Sequence, residues 1–74
     1  MKANRLFFAN NLVHLRTKQG KSQKELAEEL GIQEDRLRHW EAGTNYPKMT
    51  ILVPLVNLLG FTDIYRLLTE DIRH

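Results

Sequence analysis

Residues 22–41, SQKELAEELGIQEDRLRHWE, constrain this chain more than any other stretch. Ser22 followed by Glu25 is an S-x-x-E capping box, in which two orphan backbone donors at a helix start are satisfied reciprocally. Leu26, Ala27 and Leu30 then fall on one helical face, and Glu25, Glu28 and Glu29 are left to water. Gly31 stops the helix at a residue that tolerates positive φ without strain. Apolar spacing resumes at once, so a second helix must leave at a steep angle. At about 100° per residue, Leu37, Trp40 and Glu41 share its inner side. Asp35, Arg38, His39 and Ala42 lie opposite, with Glu34 and Arg36 on the flanks.

The remaining segments read as the frame around this pair. Helical spacing recurs five times and strict alternation never runs far, so the chain is expected to be all-α. The first helix should begin near residues 3–6 and end at Lys18, with Phe8, Leu12 and Leu15 as its stripe and Gly20 as its stop. Arg16 sits beside Leu12 and Leu15, so its guanidinium starts at the core edge and needs an acidic partner. The pair at the centre should occupy residues 22–42, with the third helix from about Gln33 to Ala42. Thr44-Asn45-Tyr46-Pro47 is a loop by composition. A fourth helix is expected over roughly Met49–Leu59. If Thr50 caps it, Pro54 removes a backbone bond just past the first turn, which predicts a late start or a slight distortion. The fifth helix should run from Thr62 or Asp63 to about Leu68, with Phe61 and Tyr65 either in the core or at an interaction surface.

Seventy-four residues leave room for one domain, spanning 1–74 with its core over 8–68. The longest apolar run, Ile51–Val56, is interrupted and too short to cross a membrane. The first fifteen residues lack the apolar length and cleavage site of a signal peptide. With no cysteine, disulfides and thiolate metal sites are ruled out, which fits a reducing, intracellular compartment. His14, His39 and His74 show no metal-ligand spacing. Ser22 is explained as a cap, and no phosphate loop or carboxylate pair is evident, so neither a cofactor nor an enzymatic activity is expected. Net charge is +2 but uneven: Lys2, Arg5, Arg16, Lys18, Lys21 and Lys24 stand in residues 1–24 with no acid. Such a basic block is compatible with a phosphate-backbone partner, although an ordinary solvated surface also accounts for it.

The residues Leu12, Leu15-Arg16, Gly20, Ser22-Gln23, Glu25-Leu26-Ala27, Leu30-Gly31-Ile32, Leu37, Trp40-Glu41, Gly43, Pro47 and Leu59-Gly60 together resemble the lambda-repressor-like, Cro-type domains, the XRE-type helix-turn-helix proteins. That resemblance covers about residues 8–68 and implies a compact five-helix domain whose third helix enters the DNA major groove. It implies that Gln33, Glu34, Asp35, Arg38 and His39 face bases. Phosphate and positioning contacts would come from Gln23, Lys24, Arg36, Thr44, Asn45, Tyr46 and Lys48. Arg16 and Glu41 would form a structural ion pair between the first and third helices. The implied function is a sequence-specific, repressor-like transcriptional regulator in a prokaryotic or phage-like cytoplasm. Its partners would be double-stranded DNA and a second copy, held through the fifth helix and C-terminal tail around Phe61, Tyr65 and Leu68.

One departure from the family pattern stands out. Family recognition helices often open on Ser, Thr or Gln, where this one has Glu34 and Asp35. Carboxylates near phosphates are repelled, yet they can accept from a cytosine amino group. They also suit a helix N-terminus and form i,i+4 pairs with Arg38 and His39. The alternative function is therefore a protein-interaction module, or an antitoxin-like component, with the same fold and weak or no DNA binding.

Overall fold

The structure is a computed structural model that describes residues 5–72, with side chains from residue 6 onward. Five helices follow one another: α1 (Arg5–Lys18), α2 (Gln23–Leu30), α3 (Glu34–Glu41), α4 (Met49–Leu58) and α5 (Ile64–Thr69). No strand occurs among the described residues. The expected start of α1 at residues 3 and 4 lies outside them. Helix α1 is the spine: it packs against α5 on one side and α3 on the other, while α2 packs against α3 and α4. Phe8, Leu12 and Leu15 deliver its buried stripe. They meet Leu26 and Ala27 of α2, Leu37 and Trp40 of α3, and Leu52, Leu55 and Val56 of α4 in one continuous core.

Helix α2 is bounded as the capping signals require. The Ser22 Oγ accepts from the Glu25 N–H at 3.0 Å, and the Ser22 N–H donates to the Glu25 carboxylate at 2.8 Å. That backbone N–H holds the Glu25 carboxyl below its ordinary value, with the Ser22 hydroxyl and the Lys21 charge adding to it against a small opposing effect of desolvation. A carboxyl lowered by folding stabilises the native state above its unfolded pKa, and the contribution fades as pH falls through the lowered value. Ser22→Ala removes the N-cap hydroxyl and is expected to cost about 1 kcal/mol at neutral pH. Glu25→Gln should flatten the acid limb of stability against pH below about 4.5, its ordinary value. Urea midpoints measured from pH 3 upward, as a rough lower limit, would check both, and an unchanged acid limb in Glu25→Gln would count against the capping box as its cause.

At the other end Gly31 takes φ 72° and ψ 31°, and the Ile32 N–H reaches back to the Ala27 carbonyl at 3.0 Å. The chain thus reverses within two residues. A Cβ at Gly31 would meet nothing within 4 Å, so the requirement for glycine is conformational rather than steric. Helix α3 is a little shorter than its periodicity suggests, because Gln33 is its N-cap and Ala42 its C-cap.

Two features depart from expectation. Thr50 does not cap α4: Lys48 does, in extended conformation, and the helix starts at Met49 rather than late. Pro54 sits inside it, and the helix continues unbroken to Leu58. Both Pro54 and Thr50 are exposed, so the carbonyl that loses its amide partner lies on the solvent side, where water can serve it. The second feature is Asn11, which is fully buried. Its side-chain N–H groups donate to the carbonyls of Leu67 at 2.9 Å and Glu70 at 2.6 Å, and its Oδ1 accepts from the Ile72 N–H at 3.0 Å. One side chain of α1 thereby closes the C-terminal end of α5.

Asp63, not Thr62, caps α5 by accepting from the Arg66 N–H. Phe61, Ile64, Leu68 and Ile72 are half-buried against the core. Tyr65 is the exception, at 58% exposure.

Candidate nucleic-acid interface

Helix α3 is fastened from below and polar above. Leu37 and Trp40 are buried in the core. At its C-terminal end the Glu41 carboxylate accepts from Arg16 twice, from Nε at 2.6 Å and from Nη2 at 3.0 Å. It accepts a third bond, at 2.9 Å, from the side-chain amide of Gln23 at the start of α2. Arg16 spends its remaining terminal nitrogen, Nη1, on the Lys21 carbonyl at 2.8 Å. Three helices therefore share one buried charge pair, with side chains only 13% and 5% exposed. This is the acidic partner that the position of Arg16 demands.

The outward side carries Gln33, Asp35, Arg36, Arg38 and His39, all exposed, with Glu34 half-buried beside them. These side chains pair with one another. Arg38 Nη1 donates to Asp35 Oδ1 at 3.1 Å, and its Nη2 stands 3.8 Å from Glu34. His39 Nδ1 lies 3.9 Å from the other Asp35 oxygen. Both expected i,i+4 pairs are present, and the shortest contact is the i,i+3 pair, Arg38 with Asp35, which the sequence reading did not single out. Arg36 lies 5.9 Å from the Trp40 ring centre, a cation–π contact that holds its guanidinium at the rim of the face.

The flanking positions divide by whether the fold already uses them. Lys24, Asn45 and Lys48 are exposed. Gln23 is bonded to Glu41. The Thr44 hydroxyl donates to the His39 carbonyl at 2.9 Å and closes the end of α3. Tyr46 tilts against Phe8 with ring centres 5.6 Å apart. The basic block of the sequence is also diluted by folding. Arg16 is buried in its ion pair, Lys21 is bridged to Glu29 at 2.7 Å, and Lys18 and Lys24 remain on the surface. Lys2 lies outside the described residues.

The candidate interface is an exposed helix face and not a pocket. A cavity of about 400 Å³ does exist, lined by residues such as Leu15, Lys18, Phe61 and Ile72, but α3 contributes nothing to it. Among the described residues no three of His, Cys, Asp and Glu come together as a metal site would need. No helix among them is long and apolar enough to cross a membrane.

Two short helices joined by a tight turn at Gly31, the second buried on one side and polar on the other, define a helix-turn-helix DNA-binding domain. The chain belongs to the XRE-type helix-turn-helix family, whose model matches residues 13–67, and it is a DNA-binding transcriptional regulator. Among solved structures it is similar to a hypothetical transcription factor, NHTF, from Neisseria, with 26% identity and a TM-score of 0.78 over 89% of this chain and 75% of that one. The fold is shared with the clp gene regulator ClgR from C. glutamicum, at 24% identity and a TM-score of 0.76 over 85% of this chain and 81% of that one. No curated protein matches the chain.

Proposed function

We propose that this protein regulates transcription by laying α3 in the major groove of a specific DNA site, as a homodimer on a two-fold-symmetric operator. The observation that carries the reading is the two-sidedness of α3. Its apolar residues are spent on the core, and its exposed residues are all hydrogen-bonding side chains except Ala42 just beyond its end, which is small enough for close approach. An α-helix with its side chains is about 10–12 Å across, which a major groove about 12 Å wide admits. Gln33, Glu34, Asp35, Arg38 and His39 form the face turned to the bases, whether by direct contact or by positioning a neighbour. Lys24, Asn45 and Lys48 are the readiest phosphate contacts. Gln23, Arg36, Thr44 and Tyr46 act first by bracing the surfaces that make those contacts. One such domain reads only a few base pairs, so a second copy supplies affinity and half-site spacing. Exposed Tyr65 on α5 supports that helix as the contact surface, and half-buried Phe61 and Leu68 would form its base.

A second reading, a protein-interaction module with weak DNA affinity, draws on the pairing of Glu34 and Asp35 with Arg38 and His39, which leaves little net positive charge on the outward face. Fluorescence anisotropy against randomised duplexes across a salt series separates the two. A regulator selects a sequence and loses affinity steeply as salt rises. A shallow slope with no selected sequence would favour the interaction module. Sedimentation with the selected duplex reports whether two copies bind.

A further inference from the structure

We propose that Arg38 reads a guanine in the operator and that Asp35 is its positioning residue rather than a second base reader. This rests on the regulator reading above. Arginine carries five N–H donors in a planar fork. In Arg38 one donor of Nη1 goes to Asp35 Oδ1 at 3.1 Å, and Glu34 stands 3.8 Å from Nη2. The guanidinium is thus tethered on the helix side, while its side chain remains 57% exposed. Donors are left over for a ligand in front of it. Among the four bases only guanine offers two adjacent acceptors, N7 and O6, in the major groove. Adenine and thymine each offer one acceptor beside an amino or a methyl group, and cytosine offers a donor that a guanidinium cannot use.

Asp35 fits the supporting part. One oxygen holds Arg38 and the other faces the His39 ring at 3.9 Å, so both are turned along the helix surface toward its own neighbours. Its charge is offset locally, which removes the objection that a carboxylate is repelled by phosphates. Pre-orienting a flexible arginine also lowers what binding must spend on ordering it.

The test uses the full chain, a site selected from randomised duplexes, and the same site with single base-pair replacements. The selected half-site should contain a guanine whose replacement by adenine weakens wild-type binding roughly 5- to 150-fold. Arg38→Ala should bind the two duplexes alike. Asp35→Ala should shrink the guanine preference, and Asp35→Asn, which keeps an acceptor at the same reach, should restore part of it. Both substituted positions are exposed, and circular dichroism with thermal melting verifies that each variant is folded. If Asp35 acted only by repelling phosphate, Asp35→Ala would tighten binding to every duplex equally and leave the preference unchanged. That result, or a selected site without a guanine that depends on Arg38, overturns the proposal and leaves the regulator reading standing. Absence of any selected sequence overturns both, and the salt slope then identifies the failure as one of DNA binding itself.

Discussion

Replacing Glu41 with alanine is expected to cost about 3–5 kcal/mol of stability, the largest effect of any single polar substitution in this chain. The carboxylate accepts two bonds from Arg16 and one from Gln23. Removing it leaves a guanidinium that is 13% exposed without its counter-charge. An arginine cannot escape by losing its proton, so the full desolvation cost stays in the folded state. For a domain of this size each kcal/mol lowers the melting midpoint by roughly 4–8 °C, so the variant should be partly unfolded at moderate temperature. Replacing both partners, as Arg16→Met with Glu41→Leu, should recover much of the loss, because no buried charge is then stranded. Urea titrations of the single and double variants give the comparison. A Glu41→Ala cost below about 1 kcal/mol would mean that water reaches the pair and that it behaves as a surface bridge.

The second large effect is expected at Asn11. Asn11→Leu keeps the number and branching of the side-chain heavy atoms, though it is bulkier, and strips partners from the carbonyls of Leu67 and Glu70 and from the Ile72 N–H. A buried polar group left unpaired costs about 1–3 kcal/mol, and Leu67 is fully buried. We expect a total of roughly 2–4 kcal/mol, together with faster proteolytic cleavage after Glu70. Equilibrium unfolding and limited proteolysis measure the two consequences. Wild-type values in both would show that these backbone groups are served by solvent.

The two positions also mark the reach of sequence reading here. Helix α2 and the turn at Gly31 were legible because their signals are local: Ser22 answers Glu25 three residues away, and Gly31 lies one residue beyond the helix it ends. The partner of Arg16 needed more. Its place on the stripe with Leu12 and Leu15 showed that an acid was required, and only the family resemblance pointed to Glu41. Asn11 was missed because its partners are backbone groups 56–61 residues away, which carry no signature in a sequence. A signal was nonetheless present, since Asn11 stands three residues after Phe8 and four before Leu15, at the edge of the apolar face, where a polar residue must find something to bond.

The candidate site shows the same division. Which side chains of α3 share the outward face follows from helical geometry alone. How they pair does not, because side-chain rotamers decide whether Arg38 turns to Asp35 or to Glu34, and here it favours the nearer Asp35. The basic block left two readings open for a related reason. Charge counts along a chain do not reveal that Arg16 turns inward or that Lys21 is bridged across to Glu29.

Pro54 has a consequence beyond the backbone bond it removes from α4. Residues 51–56, ILVPLV, would otherwise be an uninterrupted run of β-prone, uncharged side chains. Such a run, exposed while a chain is still unfolded, is the usual seed of cross-β aggregation. A proline in its middle cannot donate to a strand ladder, so it guards the nascent chain against self-association, at the expense of one solvent-facing bond in the finished helix.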